Sequence, residues 1–162
     1  MYILDGHNLI PKIPGLSLQN PDDEQALIAR LQTFSHGARR GMAVYFDGAP
    51  PGTAGTRRYG AVTAHFVRLG TTADSAIEAR LLKLGRAARN VIVVSSDRRV
   101  QAAARSVGAQ VLSSEAFAER LLRAPASGGS DVSEDPNTRL SQDEVAEWLA
   151  LFRGREKDTG QK

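Results

Sequence analysis

The chain has no cysteine, which excludes disulfides and thiolate zinc sites. Its three histidines, His7, His36 and His65, share no ligand spacing with a carboxylate, so a histidine-based zinc centre is not expected either. No apolar run is long enough to span a bilayer. The opening MYILDGHN lacks a basic flank and a cleavage-site pattern, and it reads as the first strand of a cytoplasmic protein with no membrane partner. Internal repeats are absent as well.

What remains is 162 residues with 41% hydrophobic content and an ordinary 24% of charged residues, enough for one domain with a real core and a modest extension. The net charge of +3 is unevenly spread. Residues 125–162 hold five bases against eight acids, and residues before them hold 16 bases against 10 acids. A body at +6 that also carries clustered acids suits a polyanionic substrate, with arginines on the phosphates and carboxylates on a cation. A surplus of that size is also ordinary for a soluble domain.

Short β-rich runs alternate with helical periodicities, the pattern of βαβ units around a parallel sheet. Strands are predicted over 2–5, 42–47, 62–67, 91–96 and 109–112. A helix opening at Asp22-Asp23-Glu24 presents Leu27, Ile28, Leu31 and Phe34 on one face. A second, 72–88, has Thr72 as N-cap and Ile77, Leu81 and Leu84 inward. A third, 98–107, carries Val100, Ala103, Ala104 and Val107 and stops at Gly108. A fourth, 115–123, is capped by Ser114 and buries Phe117, Leu121 and Leu122. The glycine- and proline-rich segment 49–60 reads as a loop. The predicted organisation is a domain over 1–124, a flexible linker over 125–140, an amphipathic helix over 141–153 and a disordered tail over 154–162. Ser141 and Glu144 form a capping box for that last helix, whose Val145, Trp148, Leu149 and Phe152 are expected to fold back on the body or to make a homodimer contact, because a lone helix of this length is marginal in water.

Acids recur where strands end or helices begin. Asp5 follows Tyr2-Ile3-Leu4, Asp47 follows Ala43-Val44-Tyr45-Phe46, Asp97 follows Val91 to Ser96, and Asp74 opens the helix after Thr72. In a parallel α/β sheet the carboxyl ends of the strands share one edge, where ligands bind. Carboxylates gathered there repel one another unless protons or a divalent cation neutralise them, which points to magnesium- or manganese-dependent phosphodiester chemistry. Each motif also has a plainer reading. Asp5-Gly6-His7-Asn8 can close a strand as an Asx-turn, with His7 in a surface or packing role. Asp74 and Glu78 share a helix face, but Asp74 can simply complement the helix dipole while Glu78 pairs with an arginine. Ser96 or Asp97 can cap the following helix, with Arg98 and Arg99 beside it. Asp47-Gly48 is a common turn. Arg57, Arg58 and Tyr59 form a basic-aromatic group able to hold phosphates and stack on a base, or a solvated loop.

The segments YILDGHNLI, VYFDG, TTADSAIEARL, VIVVSSDRRVQAAARSVGAQVLSSEAFAERL and LSQDEVAEWLALF, in that order, resemble the YacP-like branch of the NYN domains, which are PIN-like nucleases. The resemblance implies an α/β, Rossmann-like three-layer domain of the PIN type with parallel strand order 3-2-1-4-5. It further implies an acidic pocket for Mg2+ or Mn2+ and endonucleolytic cleavage of RNA, in bacteria and for some members on messenger RNA at the ribosome. Carried over by position, Asp5, Asn8, Asp74 and Asp97 are the catalytic set, with Ser96 beside the last. Asp47 and Glu78 fall at positions acidic in the branch and join the metal ligands. His7 stands where a tyrosine is usual. On that route Asp5, Asp74 and Asp97 hold a cation that activates water for in-line attack, leaving 5′-phosphate and 3′-hydroxyl ends. Arg57, Arg58, Tyr59, Arg98 and Arg99 would hold single-stranded RNA. Two other classes compete: an RNA- or ribosome-binding module without turnover, and a receiver-like phosphoacceptor. The latter wants a lysine ending the last strand, where this chain has Ser113 and Ser114.

Overall fold

The structure, a computed structural model, describes residues 1–20 and 22–124. The predicted linker, last helix and tail lie outside them. Along the chain run β1 (Tyr2–Asp5), α1 (Gly6–Leu9), a 3-10 turn (Ile10–Lys12), α2 (Asp23–Ala38), β2 (Met42–Ala49), β3 (Gly55–Tyr59) and β4 (Val62–Arg68). Then follow α3 (Ala73–Leu84), a second 3-10 stretch (Gly85–Asn90), β5 (Ile92–Val94), α4 (Arg98–Ser106), β6 (Gln110–Leu112) and α5 (Ser114–Arg123).

The strands form one six-stranded sheet in the order β3-β4-β2-β1-β5-β6. Its five parallel members keep the expected order. The sixth corrects the sequence reading: Gly55–Tyr59, expected within a loop, pairs antiparallel with β4 and caps that edge of the sheet. Four of its five residues are exposed, so no apolar alternation marked it; backbone bonds to β4 hold it instead.

Strand alternation divides the core into two layers. Tyr2, Leu4, Val44, Phe46, Ala64 and Val94 pack against Leu27, Ile28 and Leu31 of α2 and Phe117 of α5. Ile3, Ala43, Tyr45 and Val93 pack against Ile77 and Leu81 of α3 and Val100 and Ala104 of α4. Phe34 and Leu84, expected inside, are partly buried, and Leu122 is 53% exposed, so the inward face of α5 is narrower than its periodicity implies. β1 lies between β2 and β5, where successive crossovers change direction. That makes the carboxyl end of β1 the topological switch point, and Asp5 is the residue at it.

Candidate active site at the carboxyl edge of the sheet

Asp5 is drawn inward by its own strand. It alternates with Ile3 towards the α3–α4 layer and is only 6% exposed. Its carboxylate also caps α1, accepting the Asn8 N–H at 3.1 Å. Gly6 is required for a reason other than a turn. A β-carbon there would stand 2.3 Å from the Phe46 ring and 2.9 Å from the Tyr45 carbonyl oxygen, so β1 and β2 approach this closely only with glycine after Asp5.

α3 brings Asp74 to the same point. Thr72 caps that helix as expected, accepting the Ser75 N–H at 3.2 Å, which sets Asp74 in the first turn facing Asp5. Burial pushes the Asp5 carboxyl up to about 6. Its Asn8 N–H bond works against the rise, whereas the charge of Asp74, a hydrogen bond with Asp74 and the charge of Asp47 add to it. Asp74 is also raised, first by burial and then by Asp97, while its hydrogen bond with Asp5 lowers it. Of the two, Asp5 is the carboxyl that takes up a proton first, with Asp74 accepting its hydrogen bond.

Asp97 flanks the pair from the end of β5. One of its oxygens, Oδ1, is used in capping α4, accepting the N–H groups of Arg99 at 2.7 Å and Val100 at 3.2 Å. The plainer reading of this residue holds, and its charge still reaches Asp74. Glu78 is occupied differently. It receives Arg99 Nε at 2.8 Å and Nη2 at 3.1 Å in a bidentate pair, as the alternative for this helix face foresaw. Arg98, exposed at the start of α4, has no ion pair among the described residues.

Asp47 follows a register shift between Phe46 and Ala49, with Gly48 at φ 72°. The shift turns it towards His7, whose Nδ1 lies 2.5 Å from Asp47 Oδ1 and whose Nε2 lies 2.8 Å from Glu24 Oε1. Bonding to Glu24, then to Asp47, lifts the His7 imidazole above its ordinary range although burial opposes this. His7 thus ties the end of β2 to the start of α2, a role beyond the packing expected of it.

Asn8 proves to be a buttress. Its Oδ1 accepts the Ser96 N–H at 3.1 Å and the Ser114 hydroxyl at 2.7 Å, joining the turn after β1 to the end of β5 and the start of α5. Ser114, expected as a helix cap, is fully buried in that bond, and Ser113 caps α5 instead, accepting the Ala116 N–H at 3.2 Å. The Ser96 hydroxyl is likewise engaged: it donates to Glu115 and accepts the Ser114 N–H at 3.0 Å. Glu115 completes the tie by receiving Lys12 Nζ at 2.9 Å. The Ser96 hydroxyl and then Lys12 pull this carboxyl down to about 2. Sequence reasoning missed Glu115 and Lys12; the only local signal was the acid two residues after Ser113.

Arg57, Arg58 and Tyr59 do not form one group. Alternation on β3 sends Arg57 and Arg58 to opposite faces of the sheet, with Arg57 5.0 Å from the Phe66 ring centre. Tyr59 pairs with Val62, at the start of β4 and thus away from the acids, and its hydroxyl accepts Gln25 Nε2 at 3.3 Å.

Among the described residues no three His, Asp or Glu side chains are gathered as a ready-made metal cage. Two carboxyls meet and two flank them, rather than four converging equally. The donor set nonetheless fits a hard divalent cation: it is all oxygen, and the burial and neighbouring negative charge that raise Asp5 and Asp74 are what a cation would offset. Asp5, Asp74 and Asp97 are the residues that would hold it.

A mostly parallel sheet with acids at the carboxyl end of its switch-point strand places the chain among Rossmann-like three-layer α/β domains. The model of the YacP-like NYN domain matches residues 2–153, and the chain belongs to that family. Two crystal structures of Rae1 (YacP) from Bacillus subtilis share the fold. One superposes with a TM-score of 0.61 at 21% identity over 95% of this chain and 88% of that one. The other, a W164L mutant, gives 0.60 at 23% over 75% and 76%. The comparison with curated proteins returned no match. No helix of the described residues is long and apolar enough to cross a membrane.

Proposed function

We propose that the chain is a metal-dependent endoribonuclease that hydrolyses single-stranded RNA, messenger RNA in a bacterial cytoplasm and in association with the ribosome. The observation that carries this reading is the buried Asp5 carboxyl, raised to about 6 against Asp74 at the switch point. A buried carboxyl set against a partly buried second one is costly and is a common mark of a functional site. Magnesium or manganese bound there supplies Lewis acidity to a phosphate oxygen and lowers the pKa of water for in-line attack.

The chain's own part is to assemble and orient. Asp5, with Asp74 and the free oxygen of Asp97, offers oxygen ligands on three different elements. Asn8 fixes the loop from β1 against β5 and α5 and so sets where Asp5 points. Arg98, exposed at the start of α4, faces charge that develops on phosphate. Asp47 keeps its Oδ2 free of His7 and can join as a ligand through it, whereas Glu78 joins only by loosening from Arg99.

Labelled single-stranded RNA incubated with manganese tests this. Cleavage to products with 5′-phosphates, lost in chelator and in Asp74→Asn, is expected. RNA binding with no products under either condition would favour the non-catalytic module, which the engagement of Asp47 and Glu78 with basic partners also supports.

A further inference from the structure

Charge in the described residues is sorted by strand direction. Asp5, Asp47 and Asp97 lie at the carboxyl ends of strands, and the other acids lie in the first two turns of α2, α3 or α5 or just before them, with Glu119 midway along α5 and paired to Arg123. The opposite edge, where strands begin, has only cations among the described residues. The Met1 ammonium donates to the Asn90 carbonyl there at 3.4 Å. Arg39 and Arg40 precede β2, Arg86 and Arg89 precede β5, and Arg105 ends α4, all exposed.

Three of these arginines surround a hollow. Arg86, Arg89 and Arg105, with Ser106 and Gly108, line a cavity of about 480 Å³ that has no acidic wall. Gly108, at φ 79°, leaves room for the Arg89 stem; a β-carbon there would stand 3.3 Å from Arg89 Cγ. None of the three makes an ion pair among the described residues. Helix dipoles account for one cation at each carboxyl terminus, hence Arg105. Arg39 and Lys83 meet that need at the ends of α2 and α3, which leaves Arg40, Arg86 and Arg89 unaccounted for.

We propose that this cavity is a second polyanion site that takes a phosphate of the RNA backbone, remote from the acids. The inference rests on RNA being the ligand class of the proposed function. Val91 to Asp97 spans roughly 20 Å of extended chain, so only an RNA long enough to cross the α3–α4 face reaches both edges. The basic edge anchors it while the acidic edge acts on it.

Binding of the full chain to long polyuridylate, measured by fluorescence anisotropy in chelator, tests this without any cleavage. Arg86→Gln/Arg105→Gln should weaken binding on the order of tenfold and flatten the slope of log affinity against log salt by about 0.7, the value for one phosphate contact on a single strand. The charge-matched pair Arg30→Gln/Arg123→Gln, from α2 and α5 on the other face of the sheet, should lower affinity much less. Equal losses from both pairs, or none from the first, would overturn the proposal. A protein that cuts no RNA with manganese yet shows the predicted difference would sink the nuclease reading and leave this site standing.

Discussion

Replacing Asp5 by asparagine should stabilise the metal-free protein, and the gain should depend on pH. Asp5 is 6% exposed and its carboxyl is raised from 3.8 to about 6. A carboxyl raised in the folded state binds more protons there than in the unfolded chain. Its contribution is therefore favourable below about 3.8 and is lost as pH rises through about 6. At pH 8 the ionised group costs the fold about 3 kcal/mol at roughly 1.4 kcal/mol per pH unit. Asparagine keeps an oxygen for the Asn8 N–H and offers Asp74 an amide donor, so most of that cost is relieved. Scanning calorimetry in chelator at pH 8 should show a melting temperature higher by several degrees, at about 2–4 °C per kcal/mol. At pH 3, below both values, the difference should vanish. A variant that melts lower at both values, or gains equally at both, would refute the assignment of Asp5 as the strained carboxyl.

Three further outcomes follow from the same geometry. Asn8→Ala removes the acceptor of both the Ser96 N–H and the buried Ser114 hydroxyl and should cost about 3 kcal/mol in urea unfolding; a loss under about 1 kcal/mol would mean that Asn8 is no buttress. Gly6→Ala drives a methyl group into the Phe46 ring and should destabilise by about 1–3 kcal/mol, so an unchanged urea midpoint would show that β1 and β2 can separate. Arg99→Gln frees Glu78 from its bidentate partner and removes a cation near Asp74 and Asp97. Manganese affinity by calorimetric titration should then rise on the order of tenfold, about 1.4 kcal/mol, and unchanged affinity would exclude Glu78 as a reserve ligand.

Much of the fold was legible because it is written in local periodicity. The apolar runs ending in Asp5, Asp47 and the Ser95-Ser96-Asp97 segment read as buried strands alternating with helices, and Thr72 before Ala73 reads as a cap. β3 was illegible because an edge strand held by backbone bonds needs no apolar alternation. The acids themselves were visible, but their division of labour was not. That Asp47 and Glu24 share His7, that Arg99 takes Glu78, and that Ser114 turns in to reach Asn8 across 106 positions are facts of packing between distant segments. No spacing in the sequence encodes them.

The central claim is that Asp5 and Asp74 bind a divalent cation together. A crystal soaked in manganese, with anomalous density measured at the carboxyl edge, tests it most directly. The account predicts a peak within about 2.3 Å of oxygens from both residues. Density bound elsewhere would contradict it.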